Sequence, residues 1–107
     1  MDIEESSSEK RGPLLSELRT PKTEILILDM DEAMAKDAVE LATSALTQFN
    51  LEKEVARYLK QKFDSKYTKT WHCVVGRSFG SVVTNEKDKF VYFKVDRYAI
   101  MLYKACT

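Results

Sequence analysis

The apolar residues of this chain change their spacing twice, and this change restricts the folds that are open to it. Residues 24–28, "EILIL", form a short apolar run with β-branched residues, which is typical of a strand. Between residues 34 and 49, and again around Val55, Leu59 and Phe63, apolar residues recur every three or four positions. That is the period of an amphipathic helix. From Trp71 onwards the pattern is again that of strands.

Polar residues at the ends of the two helical segments predict where the helices begin. Asp29 or Asp31 is available as the N-cap of the first helix, with Glu32 in its first turn. Asn50 is predicted to end the first helix and to cap the second. The sequence therefore predicts two amphipathic helices that are joined tightly.

Four strand-like segments follow the helices: "WHCVVG", "FGSVVTN", "FVYFKV" and "YAIMLYKA". The stretch "NEKDK" reads as a polar turn, and Asp96-Arg97 as a tight hairpin turn. The order strand, helix, helix, four strands predicts an α+β domain in which two amphipathic helices pack on an antiparallel sheet.

A chain of 107 residues is long enough for one domain. Residues 1–23 contain three consecutive serines, the pair Gly12-Pro13, a second proline at Pro21 and mixed charges. Such a segment buries little apolar surface, so we expect residues 1–23 to be a disordered extension and residues 24–107 to be the folded domain.

The composition and charge of the chain argue against several functional classes. With 17 basic and 17 acidic residues the formal net charge is zero, which argues against non-specific binding to nucleic acid. No apolar run has the length of a membrane span, and the acidic start does not resemble a secretory signal, so a cytosolic protein without membrane insertion is expected. Cys73 and Cys106 are too few for a disulfide framework.

The stretch "TWHCVVGRSFGSVVTN" contains the only Trp and the only His of the chain. His72 and Cys73 are adjacent in a predicted strand, so their side chains point to opposite faces and cannot act as base and nucleophile together. A zinc site needs about four Cys or His ligands, and the chain has three such residues. "GRSFG" lacks the spacing and the lysine of a phosphate-binding loop. We therefore expect no catalytic residues, no cofactor and no metal.

The same stretch has features of a docking strand. Gly80 lies within it beside small hydroxyl residues, and Phe79, Phe90 and Tyr92 are aromatic residues nearby. An edge strand of this kind can accept an extended peptide by strand addition. Gly80 could equally mark a β-bulge.

The residues "KYTKTWHCVVGRSFGSVVTNE" resemble the signature of the small dynein light chains, the dimeric hub light chains of cytoplasmic and axonemal motors. The resemblance extends from "DMDEAM" through "LATSALTQFNLEKEVARYLKQKFD" to "FVYFKVDRYAIMLYK" and covers residues 24–104. It implies a non-catalytic homodimer with strand exchange across its interface. Peptides such as those of dynein intermediate chain, often with a Thr-Gln-Thr-like anchor, would add as strands in two grooves. It also implies a cytoplasmic and cytoskeletal protein of microtubule-based transport.

The resemblance also assigns residues to the groove and to the interface. The implied peptide-binding residues are Glu52, Lys53, Phe79, Gly80, Ser81, Val82, Val83, Thr84, Phe90, Tyr92 and Ala99. The implied dimer-interface residues are His72, Val82, Thr84 and Lys60. Protonation of His72 in that interface would set charge against charge and favour monomers.

Several positions depart from the pattern of the family, and three of them bear most directly on the groove and the interface. Val82 stands where a tyrosine is typical, Asn85 where a histidine is common, and Lys94 where a tyrosine lines the edge of the groove. The loss of the aromatic residue at Val82 implies a weaker dimer interface, and Lys94 implies a shift towards acidic motifs. The alternative interpretation is a specialised structural or membrane-associated paralogue with altered peptide specificity.

Overall fold

A computed structural model describes residues 12–15, 20–80 and 85–105. Its elements are β1 (Thr23–Met30), α1 (Glu32–Gln48), α2 (Glu52–Tyr67), β2 (Trp71–Gly76), β3 (Asn85–Val95) and β4 (Tyr98–Ala105). The strands form one antiparallel sheet in the order β1-β3-β4-β2, with the helices packed on it. The predicted α+β fold is thus confirmed.

Helix α1 begins at an aspartate cap and lies on the sheet through small side chains. Asp31 is the N-cap, and its carboxylate accepts hydrogen bonds from the backbone N–H groups of Ala33 (3.1 Å) and Met34 (3.4 Å). Its buried face is mostly alanine, which lets the helix approach the sheet closely: Ala35, Ala38, Ala42, Ala45 and Leu46. Of the two predicted caps, Asp31 is therefore the correct one.

Helix α2 has an apolar residue, which cannot make a capping hydrogen bond, at its N-cap position. Its N-cap residue is Leu51, so the prediction that Asn50 caps this helix is wrong. The helix is held instead by the burial of Val55, Leu59 and Phe63. Its acidic first turn and Lys66 in the last turn match the helix dipole.

Alternate residues of the central strands form the core with the helices. Val91, Phe93 and Val95 of β3 lie opposite Leu102, Ile100 and Tyr98 of β4, and all six are buried. Trp71 at the start of β2 is fully buried, with its ring edge-on to Phe63 at a centroid distance of 4.9 Å. We call this helix-covered side of the sheet the core face.

The turn between β3 and β4 is the predicted one, at Asp96-Arg97. Asp96 has a left-handed φ of 53° and joins the turn to the chain that enters β1. The Asp96 N–H donates to the Lys22 carbonyl (2.7 Å), and the Lys22 N–H donates to Asp96 Oδ1 (2.9 Å).

The start of β3 differs from the sequence prediction. "NEKDK" was expected to be a polar turn, but it belongs to β3. The pairing of β3 with β4 slips between Asn85 and Phe90, and Asp88 has a φ of 64°, so this part of the strand is irregular. In the predicted strand "FGSVVTN", Phe79 and Gly80 lie outside any strand, and residues 81–84 lie outside the described part of the chain.

The predicted extension, residues 1–23, is described only in part. Leu15 is buried in the core cluster and Leu14 packs against it. The Leu14 N–H donates to the Phe49 carbonyl and the Leu15 N–H to the Leu46 carbonyl, both at 2.9 Å. This leucine pair is packed at the C-terminal end of α1, and the expected disorder of residues 1–23 as a whole stays a prediction.

Candidate functional site on the outer face of the sheet

The side of the sheet opposite the helices, which we call the outer face, carries the residues that alternate with the core positions. Directly opposite residues in antiparallel strands share a face. The strand register therefore arranges the outer face in three rows that run across all four strands.

The middle row is apolar from one edge of the sheet to the other. Ile27 of β1 lies opposite Tyr92 of β3, Tyr92 opposite Met101 of β4, and Met101 opposite Val74 of β2. At the two ends of this row, Ile27 is 51% exposed and Val74 is 38% exposed. Within the described residues no helix packs over this row, and an exposed apolar row of this kind is typical of surfaces that contact another protein chain.

A second row contains the aromatic residues and the only histidine. Asp29, Phe90, Tyr103 and His72 follow one another across the sheet. The His72 and Tyr103 rings are 5.4 Å apart between centroids, and those of Phe90 and Tyr103 are 6.2 Å apart. His72 is exposed at the edge strand β2.

The third row is Glu24, Lys94, Ala99 and Gly76, and Phe79 folds back towards it. The Phe79 ring lies 5.8 Å from that of Tyr92, and a Cβ placed on Gly76 would be 3.5 Å from the Phe79 side chain. Ala99 and Met101 are buried although they belong to the outer face. The Phe79 ring thus covers part of the outer face at the β2 side of the sheet.

The structure brings together one part of the predicted site. His72, Phe79, Phe90, Tyr92 and Ala99 all lie on or against the outer face. Gly80 follows Phe79 and has open space, since a Cβ built on it would meet nothing within 4 Å.

The other predicted site residues are placed elsewhere or are not described. Glu52 and Lys53 lie in the first turn of α2, and Lys60 lies further along this helix. The Lys60 ammonium forms an ion pair with Asp64 within the same helix. Ser81, Val82, Val83 and Thr84 lie outside the described residues, so their predicted roles stay predictions.

Residue-by-residue prediction missed several members of the outer face: Ile27, Val74, Met101 and Tyr103. The alternation of strand side chains could have found them. Val74 is two positions from His72, and both Met101 and Tyr103 follow Ala99 by an even number of residues.

The Cys73 thiol lies on the opposite face of the sheet from His72, and its burial makes it unreactive. Cys73 lies opposite Leu102 on the core face, whereas His72 is on the outer face. Burial raises the pKa of the Cys73 thiol, so the reactive thiolate is disfavoured. Within residues 12–15, 20–80 and 85–105, no three His, Cys, Asp or Glu side chains could hold a metal ion together.

The family model of dynein light chain type 1 matches residues 22–105 of this chain. The chain belongs to the dynein light chain family. The matched range contains the described sheet and both helices, and the leucine pair Leu14-Leu15 lies before it.

Solved structures similar to this light chain include the dynein light chain-like domain of the Fasciola hepatica calcium binding protein FhCaBP2. A native crystal form has a TM-score of 0.72 at 19% sequence identity and covers 80% of this chain and 93% of that one. A mercury derivative has a TM-score of 0.70 at 20% identity and covers 90% of this chain and 100% of that one. At these identities the likeness establishes a common fold.

No helix in the described part of this light chain is long and apolar enough to cross a membrane.

Proposed function

We propose that this dynein light chain is a non-catalytic homodimeric hub that binds short linear peptides by β-strand addition in two grooves. Dynein intermediate chain would be one partner, and the protein would support assembly of the motor complex and microtubule-based transport in the cytoplasm and cytoskeleton. The observation that supports the proposal most strongly is the apolar and aromatic outer face, which lies on a family domain and has no helix over it among the described residues.

The outer face favours a second copy as its cover. The described helices pack on the core face, while Val74 and His72 at strand β2 are exposed. In the proposed dimer, the segment after Phe79 would cross to the β2 edge of the partner. Two copies would then bury their outer faces against each other.

The groove would form beside the exchanged segment. Phe79 lies against Tyr92 and next to Gly76, so the chain leaves the sheet over the outer face at this point. A side chain at Gly80 would begin in open space, with nothing within 4 Å of its Cβ, which leaves room for an extended backbone to approach. Two such grooves in a dimer would make the protein bivalent, and binding of one site of a paired partner would favour the second.

Calorimetric titration with a peptide that carries a Thr-Gln-Thr anchor tests this function, on protein whose mass has been measured by light scattering. We expect one peptide per chain bound to a dimer, with about micromolar affinity or tighter. Gly80→Val and Ser81→Asp should each abolish binding, because bulk or charge would meet the incoming strand.

Ser65→Asp is the matched control for the charge, because Ser65 is exposed on α2. It should leave the affinity unchanged. Full affinity in both the Gly80 and Ser81 variants would show that the peptide groove does not lie at this segment.

The second candidate function is that of a structural or membrane-associated paralogue with altered specificity. The observation in its favour is Lys94, which lies on the outer face between Glu24 and Ala99, beside the proposed groove. A cation there favours acidic motifs. A well-folded dimer that ignores the Thr-Gln-Thr peptide but binds acidic peptides from an unbiased library would support this second function.

A further inference from the structure

Strand β1 is an edge of the sheet, at the opposite side from β2, and its apolar residues are exposed. Ile25 (45%), Leu26 (42%), Ile27 (51%) and Leu28 (44%) form a continuous exposed run, although Ile25 and Leu28 are on the core face. A long apolar edge strand is a template for pairing with another strand. In the proposed dimer the exchanged segment pairs at β2, at the other edge of the sheet; the second copy would cover outer-face side chains of β1 but would not pair with its backbone.

A bulge at Leu26 determines which residues of β1 share a face. Ile25 lies opposite Phe93 and Ile27 opposite Tyr92, so Leu26 is the extra residue. Glu24, Ile27 and Asp29 consequently lie on the outer face. Lys22 precedes Thr23, which faces the core opposite Val95, so Lys22 also falls on the outer side by alternation.

The bulge restricts how β1 could pair with β1 of a second copy in antiparallel orientation. Residues that lie opposite each other in the two strands must share a face. Because the bulge adds one extra residue to each strand, a residue before the bulge shares a face with a residue after it only when their residue numbers add up to an odd number. Two central registers meet this condition. One sets Glu24 opposite Asp29 at both ends, which places like charges together; the other sets Lys22 opposite Asp29 at both ends.

We propose that β1 is a self-association edge, where two copies pair in the register that sets Lys22 of each opposite Asp29 of the other. In this register Thr23 lies opposite Leu28, Glu24 opposite Ile27, and Ile25 opposite Leu26. The exposed apolar run is then covered by its own copy, and both ends carry opposite charges on the outer face. Lys22 and Asp29 are both exposed, so both side chains are accessible to a partner strand.

The charge pattern gives this edge its specificity. Acidic residues flank the apolar run on both sides, at Glu24 and Asp29. In a register that sets them opposite acidic residues of the partner strand, the like charges repel each other and disfavour the pairing. A contact between two edge strands buries little area, so we expect weak association that rises with protein concentration.

Sedimentation velocity over a concentration series tests the proposal, with charge reversal at one end of the pair. At high concentration the wild-type protein should form species of at least twice the mass of its unassociated unit, which is either the monomer or the proposed dimer. Lys22→Glu should weaken this step about tenfold, because it replaces two attractive cross-strand pairs with two repulsive ones. The double variant Lys22→Glu/Asp29→Lys restores opposite charges and should recover the wild-type association.

Lys36→Glu is the matched control, since Lys36 is exposed on α1, away from the edge. It should leave the association unchanged. The proposal is overturned if wild-type protein shows no association, if Lys22→Glu associates like the wild type, or if the double variant is not rescued.

The outcome is independent of the proposed hub function. Lys22→Glu weakens the pairing at β1 whether the associating unit is a monomer, which pairs once, or the proposed dimer, which has two β1 edges and can form longer species. Binding of the Thr-Gln-Thr peptide should persist in this variant, so loss of edge pairing and loss of the groove can be told apart.

Discussion

At the scale of single residues, Asp64 joins helix α2 to the start of β2. Its carboxylate forms an ion pair with Lys60 one turn earlier in α2 and accepts a hydrogen bond from the Trp71 N–H (2.8 Å) at the start of β2. Burial by itself would raise the pKa of Asp64, but the Lys60 ammonium, the Trp71 N–H and the charge of Lys69 outweigh it and lower the pKa. The buried Trp71 is thereby fixed at its backbone as well as at its ring.

Replacement of Asp64 by Asn should lower the free energy of unfolding at neutral pH by about 1–2 kcal/mol. A carboxyl whose pKa is lowered in the folded state stabilises the fold above its unfolded value of about 3.9, and this contribution is lost as the pH falls through the lower folded pKa. The difference between wild type and Asp64→Asn should therefore shrink below about pH 4. Urea unfolding at several pH values measures it.

Glu40→Gln provides the comparison, because it makes the same chemical change at an exposed position of α1. It should have little effect on stability at any of these pH values. A pH-independent loss in Asp64→Asn would show that the charge of the carboxylate does not contribute to stability.

At the scale of elements, the helix layer is fastened at both of its ends. Asp37 of α1 accepts hydrogen bonds from Lys66 Nζ (2.8 Å) and from the Tyr67 hydroxyl (2.9 Å) at the end of α2. Burial and the Asp37 carboxylate both raise the pKa of the Tyr67 hydroxyl, so it stays a proton donor to Asp37. At the other end of α1, the N–H groups of Leu14 and Leu15 satisfy two carbonyls that a helix end leaves without partners.

Leu15→Ala should lower the free energy of unfolding by about 2 kcal/mol, since it removes a buried side chain at the edge of the core. Leu28→Ala, the same change at a leucine that is 44% exposed, should cost less than about 1 kcal/mol. Urea unfolding monitored by the single tryptophan measures both. Equal effects of the two substitutions would contradict the packed position of Leu15.

The sequence predicted these elements unevenly, for physical reasons. The two helices and the hairpin at Asp96-Arg97 follow from periodicity and turn chemistry, which are local signals. Leu14 and Leu15 lie in a polar segment, and only the tertiary contact with α1 orders them. "NEKDK" reads as a turn because its residues are polar, but pairing with neighbouring strands draws it into β3. Phe79, Phe90 and Tyr92 of the candidate site were named from the sequence. The strand register was needed to show that Ile27, Met101 and Val74 lie in one row with Tyr92.

At the scale of the whole molecule, the sheet has two faces that both carry apolar residues. The helices cover the core face, and the proposed second copy covers the outer face. If a second copy covers the outer face, folding and association are coupled. A partner that binds only the folded state raises the stability of that state by mass action.

His72→Lys should give a folded monomer, because it would place a permanent cation in the proposed apolar interface, which we expect to weaken the dimer by about a hundredfold or more. The melting temperature of the wild type should rise with protein concentration, whereas that of the variant should not. Light scattering and thermal unfolding over a concentration series test both effects. Gln61→Lys, at an exposed position of α2, should leave both unchanged. A dimeric His72→Lys would place the interface elsewhere.

The anchored leucine pair also determines where a tag can be attached without disturbing assembly. Leu14 and Leu15 are fixed at the C-terminal end of α1, within the helical layer and not at the outer face. A fluorophore or affinity handle joined to the chain just before this pair would accordingly be delivered to the helical side. Labels placed there should report on complexes at the sheet without occupying its contact surface.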